Sequence, residues 1–419
     1  MNSVLDDLSA RGLIHNSTDL QALGDRLDQS MMTLYCGFDP TADSLHVGNL
    51  LALLLLQRFQ RGGHRPLVLA GGATGMIGDP SGRDAERTLL DEEAIRANIE
   101  GIRPQLERFV DFDAGNCSAV LVNNADWTAE TSVVAFLRDV GKHFSINTML
   151  AKDAVKSRMD RDTGISFTEF SYSLLQANDF VVLNKRFGCE LQVAGSDQWG
   201  NIVAGIDLAR RQDGTVLHGL TAPLVTSSDG KKFGKSVGGG GLWLDPSKTS
   251  PFQLYQYFVN CSDDDVEPWL KMLTMTDLEE VSQVSTQHQQ APHLRSGQRF
   301  LAGAVTSLVH GVAANALVER ASEAIFGQNL TEAAPDVFEL LESEVPCMTA
   351  AVDELDDLPA LFARAFDVSK GQVRKNSAGY TLNSVQFGSV EQPVSMILHG
   401  RWLVLRKGKA SYHLVVVKS

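Results

Sequence analysis

The first 250 residues alternate between two hydrophobic rhythms. Short apolar runs, "MTLYCGF" (32–38), "RPLVLAGG" (65–72) and "SAVLVNNADW" (118–127), carry few polar interruptions, as strands buried on both faces do. Longer segments separate them. "SLHVGNLLALLLLQRFQRGG" (44–63) predicts a helix with Ser44 available as its cap and an end at Gly62. "SFTEFSYSLLQANDF" (166–180) predicts another, and Ser166-x-x-Glu169 has capping-box spacing. "CELQVAGSDQWGNI" (189–202) reads as strand, loop and helix start, and "GLTAPLVTSSDG" (219–230) as a strand entering a loop. Alternation of this kind predicts an α/β fold, a parallel sheet with helices on both faces.

From about Thr249 the rhythm becomes helical, through "SPFQLYQYFVNCSDDDVEPWLKMLTMTDLEEV" and "RFLAGAVTSLVHGVAANALVERASEAIF". An acidic stretch at 342–357 marks a boundary. The last sixty residues predict a small mixed domain that closes on a hairpin turning at "RKGKA". A length of 419 residues suits two or three domains. The longest apolar run, "LLALLLL", is too short to span a bilayer. "MNSVLDDLSARG" has no basic segment leading into an apolar one, so a cytoplasmic protein is expected. The five cysteines are scattered and form no C-x-x-C pair, so neither a zinc site nor a disulfide framework is expected.

Charge changes the picture locally. The net charge is −14, which argues against a nonspecific nucleic-acid binder. Residues 342–357 carry six acids, whereas 392–419 carry Arg401, Arg406, Lys407, Lys409 and Lys418 and no acid. A basic patch on an acidic chain fits a specific polyanionic partner.

In an open parallel sheet, ligands bind beyond the carboxyl ends of the strands, and four unusual loops fall there. "FDPTADSLHVGN" (38–49) brings Thr41, His46 and Gly48 to a helix entrance, where backbone N–H groups and the helix dipole favour phosphate. The plain alternative is a strand-to-helix turn with a surface histidine. "GGATGMIGDPSGRDAER" (71–87) carries Asp79, Arg83 and Arg87; it lacks both G-K-[ST] and G-x-G-x-x-G, so neither a P-loop nor a dinucleotide fold is indicated. "GSDQWGN" (195–201) sets Asp197 where acids accept from ribose hydroxyls, or where an aspartate simply caps a helix. "DGKKFGKSVGGGG" (229–241) crowds Lys231, Lys232 and Lys235 among glycines, either a solvated loop or one that closes over polyphosphate. Tyr172, Gln176 and Asp179 fall on one helix face. That face is a polar pocket or a solvated stripe.

Together these segments are similar to a known family. "HVGN" and "KFGKS" resemble the HIGH and KMSKS signatures of class I aminoacyl-tRNA synthetases. "YCGFDPTADSLH", "GGATGMIGDPSG", "GKHFSIN", "GISFTEFSYSLLQ", "GSDQWGN" and "DGKKFGKS" resemble the bacterial tyrosyl-tRNA synthetases over nearly the whole chain. The resemblance implies a Rossmann-like catalytic domain (1–245) with a dimer-forming insertion, a helical domain (246–345) and a C-terminal RNA-binding domain of the ribosomal-protein-S-four type (352–419). It implies activation of L-tyrosine by ATP, accompanied by Mg2+, transfer to tRNA(Tyr), and a homodimer. Tyr35 and Asp179 would hold the phenol hydroxyl, and Asp79, Tyr172 and Gln176 the ammonium, with Asn124 and Gln192 in support. Cys36, Asp39, Gly48, Asn49, Gly195, Asp197 and Gln198 would contact the nucleotide. Thr41, His46, Arg83, Arg87, Lys232, Lys235 and Ser236 would serve the phosphates. Arg210, Arg211, Arg374, Lys375, Arg406, Lys407 and Lys409 would contact tRNA.

The sequence departs from the common signatures at Asn49, in place of the second histidine of HIGH, and at Phe233 and Gly234, in place of Met and Ser of KMSKS. Two rivals remain: a tryptophanyl synthetase, and a non-catalytic RNA-binding factor built on the same scaffold.

Overall fold

The computed structural model describes residues 3–81, 90–159, 164–228, 233–234, 241–327, 330–408 and 411–418. It divides into two compact units, Met1–Thr249 with Asn260–Leu301, and Ser250–Val259 with Ala302–Ser419.

The first unit is built on six strands: β1 (Asn16–Ser17), β2 (Thr33–Phe38), β3 (Arg65–Ala70), β4 (Val120–Asn123), β5 (Cys189–Gly195) and β6 (His218–Ala222). Their order is β1-β6-β5-β2-β3-β4, parallel except for β1 at the edge. The unbroken apolar runs are the reason: both faces are covered, and β3 and β6 are buried almost throughout. β2 pairs with β3 on one side and β5 on the other. The chain therefore reverses its winding at β2, and a crevice opens at the strand ends there.

The helix Phe167–Phe187 covers one face. Ser166 accepts from the Glu169 N–H at 3.2 Å, and Gly188 (φ +64°) closes the far end. The box predicted at Ser166 is half realised. The Glu169 carboxylate turns inward to a buried ion pair with Arg158 at 2.8 Å. Tyr35, Trp127, Leu174 and Phe180 join the core beneath the crevice.

The other helix entrance also differs from expectation. A 3-10 turn, Val47–Asn49, precedes the helix Leu50–Arg61. Its cap is His46, not Ser44. The Gly48 N–H donates to His46 Nδ1 (3.0 Å), and the His46 N–H donates to Asn49 Oδ1 (3.1 Å). Ser44 Oγ instead donates to the Leu45 carbonyl.

The second unit carries a sheet ordered β7-β11-β10-β8-β9, from β7 (Cys347–Ala351), β8 (Tyr380–Leu382), β9 (Val385–Gln386), β10 (Trp402–Lys407) and β11 (Ser411–Lys418). β10 and β11 form the predicted hairpin. The acidic stretch 342–357 lies inside this unit and meets its basic residues. Glu342 pairs with Arg401, Glu354 with Arg364, and Asp357 with Lys370.

Candidate functional site

β2, β3, β5 and β6 run parallel, so the loops that follow them meet at one edge of the sheet. They enclose a cavity of about 950 Å³ lined by residues of all four loops and by Tyr172, Gln176 and Asp179. The helix-face trio thus opens on a pocket, not on solvent.

One end of the cavity is a buried polar network. Asp179, 2% exposed, accepts from Trp127 Nε1 at 2.8 Å and from Asn124 Nδ2 at 2.9 Å. Asn124 also donates to Thr74 Oγ1 (2.9 Å) and accepts from the Ala73 N–H (2.7 Å). Thr74 donates to Asp39 Oδ1 (2.8 Å), and Tyr172 Oη donates to Asp39 Oδ2 (2.9 Å). Burial pushes the Asp179 carboxyl up to about 7, against the pull of its Asn124 and Trp127 donors. Burial, then the neighbouring Asp179, holds the Tyr35 phenol well above its ordinary range.

Next to this network stand polar atoms with no partner among the described residues. Tyr35 Oη, Gln176 Oε1 and Gln192 Oε1 are buried and accept or donate no hydrogen bond, and all three residues line the cavity. Buried polar groups are nearly always satisfied, so three together in one cavity are the mark of a polar ligand. Gln198 ties the neighbouring positions: its Nε2 donates to Asp79 Oδ2 (2.6 Å), and its Oε1 accepts from Gln176 (3.2 Å). The Ser81 N–H donates to Asp79 Oδ1 (2.9 Å).

Cys36, Thr41, His46, Gly48, Asn49, Gly195 and Asp197 also line the cavity. The backbone N–H groups of the helix entrance are already used: Val47 donates to the Leu242 carbonyl, Gly48 to His46, and Asn49 to the His46 carbonyl. They are therefore not the anion cradle expected of a helix N-terminus. Because His46 Nδ1 accepts, the neutral ring carries its proton on Nε2. Asn49 spends its carbonyl on the His46 N–H and keeps its NH2 as a donor. Gly48 packs tightly under the ring: a Cβ there would lie 2.6 Å from His46 Cε1, so the ring would have to shift. Burial, then Asp197, pushes the Cys36 thiol up to about 12.

Asp39, Asp79, Asp179 and Asp197 line the cavity, and no lysine or arginine does so among the described residues. The predicted cations Arg83, Arg87, Lys231, Lys232 and Lys235, with Ser236, lie outside the described residues. Their neighbours Ser81 and Phe233 line the cavity.

Thr74 and Trp127 were missed by the sequence reading. Thr74 hides in a glycine loop, and Trp127 follows β4 with no motif of its own. Among the predicted tRNA contacts, Arg210 and Arg211 both pair with Asp207 on the helix Trp199–Asp213. Arg374 and Lys375 end the helix Lys370–Lys375 and are exposed. Arg406 stacks on Tyr412, Lys407 is exposed, and Lys409 lies outside the described residues.

A family model described as tRNA synthetases class I (W and Y) matches residues 27–327. The chain is 52% identical to a tyrosine--tRNA ligase of Corynebacterium glutamicum, with 98% of each covered. It is 51% identical to one from Mycobacterium tuberculosis, with 97% of each covered. A C-terminally truncated mitochondrial tyrosyl-tRNA synthetase of Aspergillus nidulans superimposes with a TM-score of 0.69 at 33% identity, over 78% of this chain and 95% of that one. A family model matching residues 27–327, joined to half-identical relatives along nearly the full length, leaves one assignment: this chain belongs to the class I tRNA synthetases of the W and Y type.

Proposed function

We propose that the crevice joins L-tyrosine to ATP, giving tyrosyl-adenylate and pyrophosphate, and that the tyrosyl group then passes to the 3′ end of tRNA(Tyr). The observation that carries the tyrosyl reading is the pairing of Asp179 with the unsatisfied Tyr35 Oη beside it. A phenol hydroxyl satisfies both, donating to the carboxylate and accepting from Tyr35. Phenylalanine leaves Tyr35 Oη unpaired, at about 1–3 kcal/mol for a buried group, and gives the Asp179 carboxylate no donor beyond Asn124 and Trp127. An indole N–H satisfies the carboxylate but leaves Tyr35 without an acceptor.

The ammonium is assigned to Asp79, Tyr172 and Gln176, which face it with a carboxylate and two polar oxygens. Asn124 and Gln192 support the ring pocket. Cys36, Asp39, Gly48, Asn49, Gly195, Asp197 and Gln198 are assigned to the nucleoside side, with Gln198 bridging to Asp79. The tyrosine carboxylate attacks the α-phosphorus, a C–O–P bond forms, and the bond to the β-phosphate oxygen breaks as pyrophosphate leaves. The attacking group is already an anion, so no general base is needed. What the protein supplies is alignment and donors for charge growing on the leaving group. His46 Nε2–H, Thr41 and the Asn49 NH2 are such donors. The carboxylate-lined cavity calls for cations as well, which supports the assignment of Arg83, Arg87, Lys232, Lys235 and Ser236 to the phosphates. Mg2+ arrives with the ATP as part of the substrate.

Exposed apolar residues concentrate in segment 133–167, where Val134 and Phe167 are 75% and 78% exposed. Such exposure suits a contact with a second copy of the chain. Arg210, Arg211, Arg374, Lys375, Arg406, Lys407 and Lys409 are assigned to tRNA phosphates, the last five within segment 352–419. The cytoplasm, where translation runs, is its place of action.

ATP–pyrophosphate exchange measured with each of the twenty amino acids tests the reading. Tyrosine alone should support rapid exchange. Exchange with tryptophan in preference to tyrosine, or with neither, would overturn it.

A further inference from the structure

The helix Asp263–Leu273 contributes no residue to the cavity lining. It nevertheless touches both segments that bring chemistry to the nucleotide end. At its first turn Asp265, 4% exposed, accepts from the Ser228 N–H at 2.8 Å and from Ser227 Oγ–H at 3.2 Å. One turn on, Trp269 donates Nε1–H to the Thr226 carbonyl at 3.0 Å, and its ring meets Phe233 edge-on at 5.1 Å. At the other end, Arg58 donates to the Thr274 carbonyl (2.5 Å), and Arg11 donates to the carbonyls of Lys271 (3.4 Å) and Thr276 (2.8 Å). Arginines at a helix C-terminus satisfy its free carbonyls and suit its dipole. Arg58 sits on the helix Leu50–Arg61, the one that His46 and Asn49 open.

The helix is thus braced at one end against the histidine helix and at the other against segment 226–228 and Phe233. Phe233 and Gly234 stand in sequence between Lys232 and Lys235. Gly234 has φ +76°, its carbonyl accepts from the Leu242 N–H at 2.9 Å, and a Cβ there would lie 2.7 Å from Val47. Whatever moves Phe233 therefore moves backbone directly bonded to both lysines.

We propose that Asp265 and Trp269 are positioning residues for adenylation: the helix Asp263–Leu273 is a strut that holds Phe233 and Gly234, the sequence neighbours of Lys232 and Lys235, beside the turn that His46 caps. The inference rests on the reading of those lysines as phosphate ligands. A displacement of about 1 Å in such groups costs on the order of 10²-fold in rate. Asp265→Ala and Trp269→Leu should each lower the exchange rate constant about ten- to a hundredfold, with tyrosine Kd within twofold of the parent. Trp269→Phe, which keeps a ring against Phe233 and loses only the N–H donor, should recover part of the loss. Ser227→Ala removes the Oγ–H bond to Asp265 from the loop side, leaving the Ser228 N–H bond and the helix untouched, and should lower the rate severalfold at unchanged tyrosine Kd. That variant decides the matter if the helix variants do not fold.

Exchange at the parental rate in folded Ser227→Ala and Trp269→Leu overturns the strut. So does a fall in rate matched by an equal loss of tyrosine affinity, which marks a general loss of structure. Lys235→Ala separates the two levels. If it exchanges at the parental rate, the phosphate reading fails. If it is slow while the Asp265 and Trp269 variants are not, only the strut fails.

Discussion

Replacing Asp179 by Asn removes a buried charge while keeping the side chain's size. The carboxyl ordinarily ionises near 3.8 and is held at about 7 in the folded protein. A shift of that size corresponds to about 4 kcal/mol between the two states. Below pH 3.8 the carboxyl is protonated folded and unfolded, and the group costs nothing. Between 3.8 and 7 the unfolded chain sheds a proton that the folded protein keeps, so stability falls by about 1.4 kcal/mol per pH unit. Above 7 the loss is complete. Asn does not titrate. The stability of Asp179→Asn relative to the parent should therefore rise by about 1.4 kcal/mol per unit from pH 5 to 7 and then level off. One of the donors, Trp127 Nε1–H or Asn124 Nδ2–H, then faces an amide NH2, offsetting the gain by about 1–2 kcal/mol at every pH.

The same titration reaches the ligand. A tyrosine hydroxyl donates to the carboxylate, so binding below pH 7 must first expel the proton. The parental Kd for tyrosine should weaken about tenfold between pH 8 and pH 6. The Asn variant should bind weakly with a flat profile. Equilibrium titration followed by tryptophan fluorescence, with urea melts at the same pH values, reads both quantities. A parental Kd that is constant over this range, or a variant with the parental slope, would refute the account of Asp179 as the phenol's acceptor.

Tyr35→Phe deletes an unsatisfied buried hydroxyl. The ligand-free protein should be unchanged or about 1 kcal/mol more stable, while tyrosine binds about tenfold more weakly; calorimetry and melting together check this. Gly48→Ala should push the His46 ring off the backbone and lower adenylation on the order of 10²-fold. If it acts through His46, then adding it to His46→Ala costs little more, and an additive loss in single-turnover rates would contradict that route. Val134→Glu with Phe167→Glu should yield monomers by light scattering; a species of unchanged mass would place the self-contact elsewhere. Arg374→Ala with Lys375→Ala should raise the tRNA KM, lessen its salt dependence and leave exchange intact; an unchanged KM would remove these residues from the tRNA surface.

The α/β class was legible in the chain because strands buried on both faces must be apolar throughout. The Tyr172–Gln176–Asp179 face was legible from helical spacing, but spacing alone left a pocket and a solvated stripe equally open. Only the fold brought Asp39, Thr74, Asn124 and Trp127, from three different loops, into one hydrogen-bonded chain around Asp179. Only the fold left Tyr35 Oη unpaired beside it. The helix entrance shows the limit most plainly. Local sequence predicted a Ser44 cap and free backbone donors, whereas Leu242 and the His46 ring, one of them almost two hundred residues away, consumed those donors. The run of acids near 350 and the run of bases near the C-terminus likewise looked segregated until the fold paired Glu342 with Arg401. Periodicity follows from which face of an element is buried, and that is a local matter. Which donors remain free is settled by partners distant in sequence, so the chemistry of the site is a property of the tertiary structure.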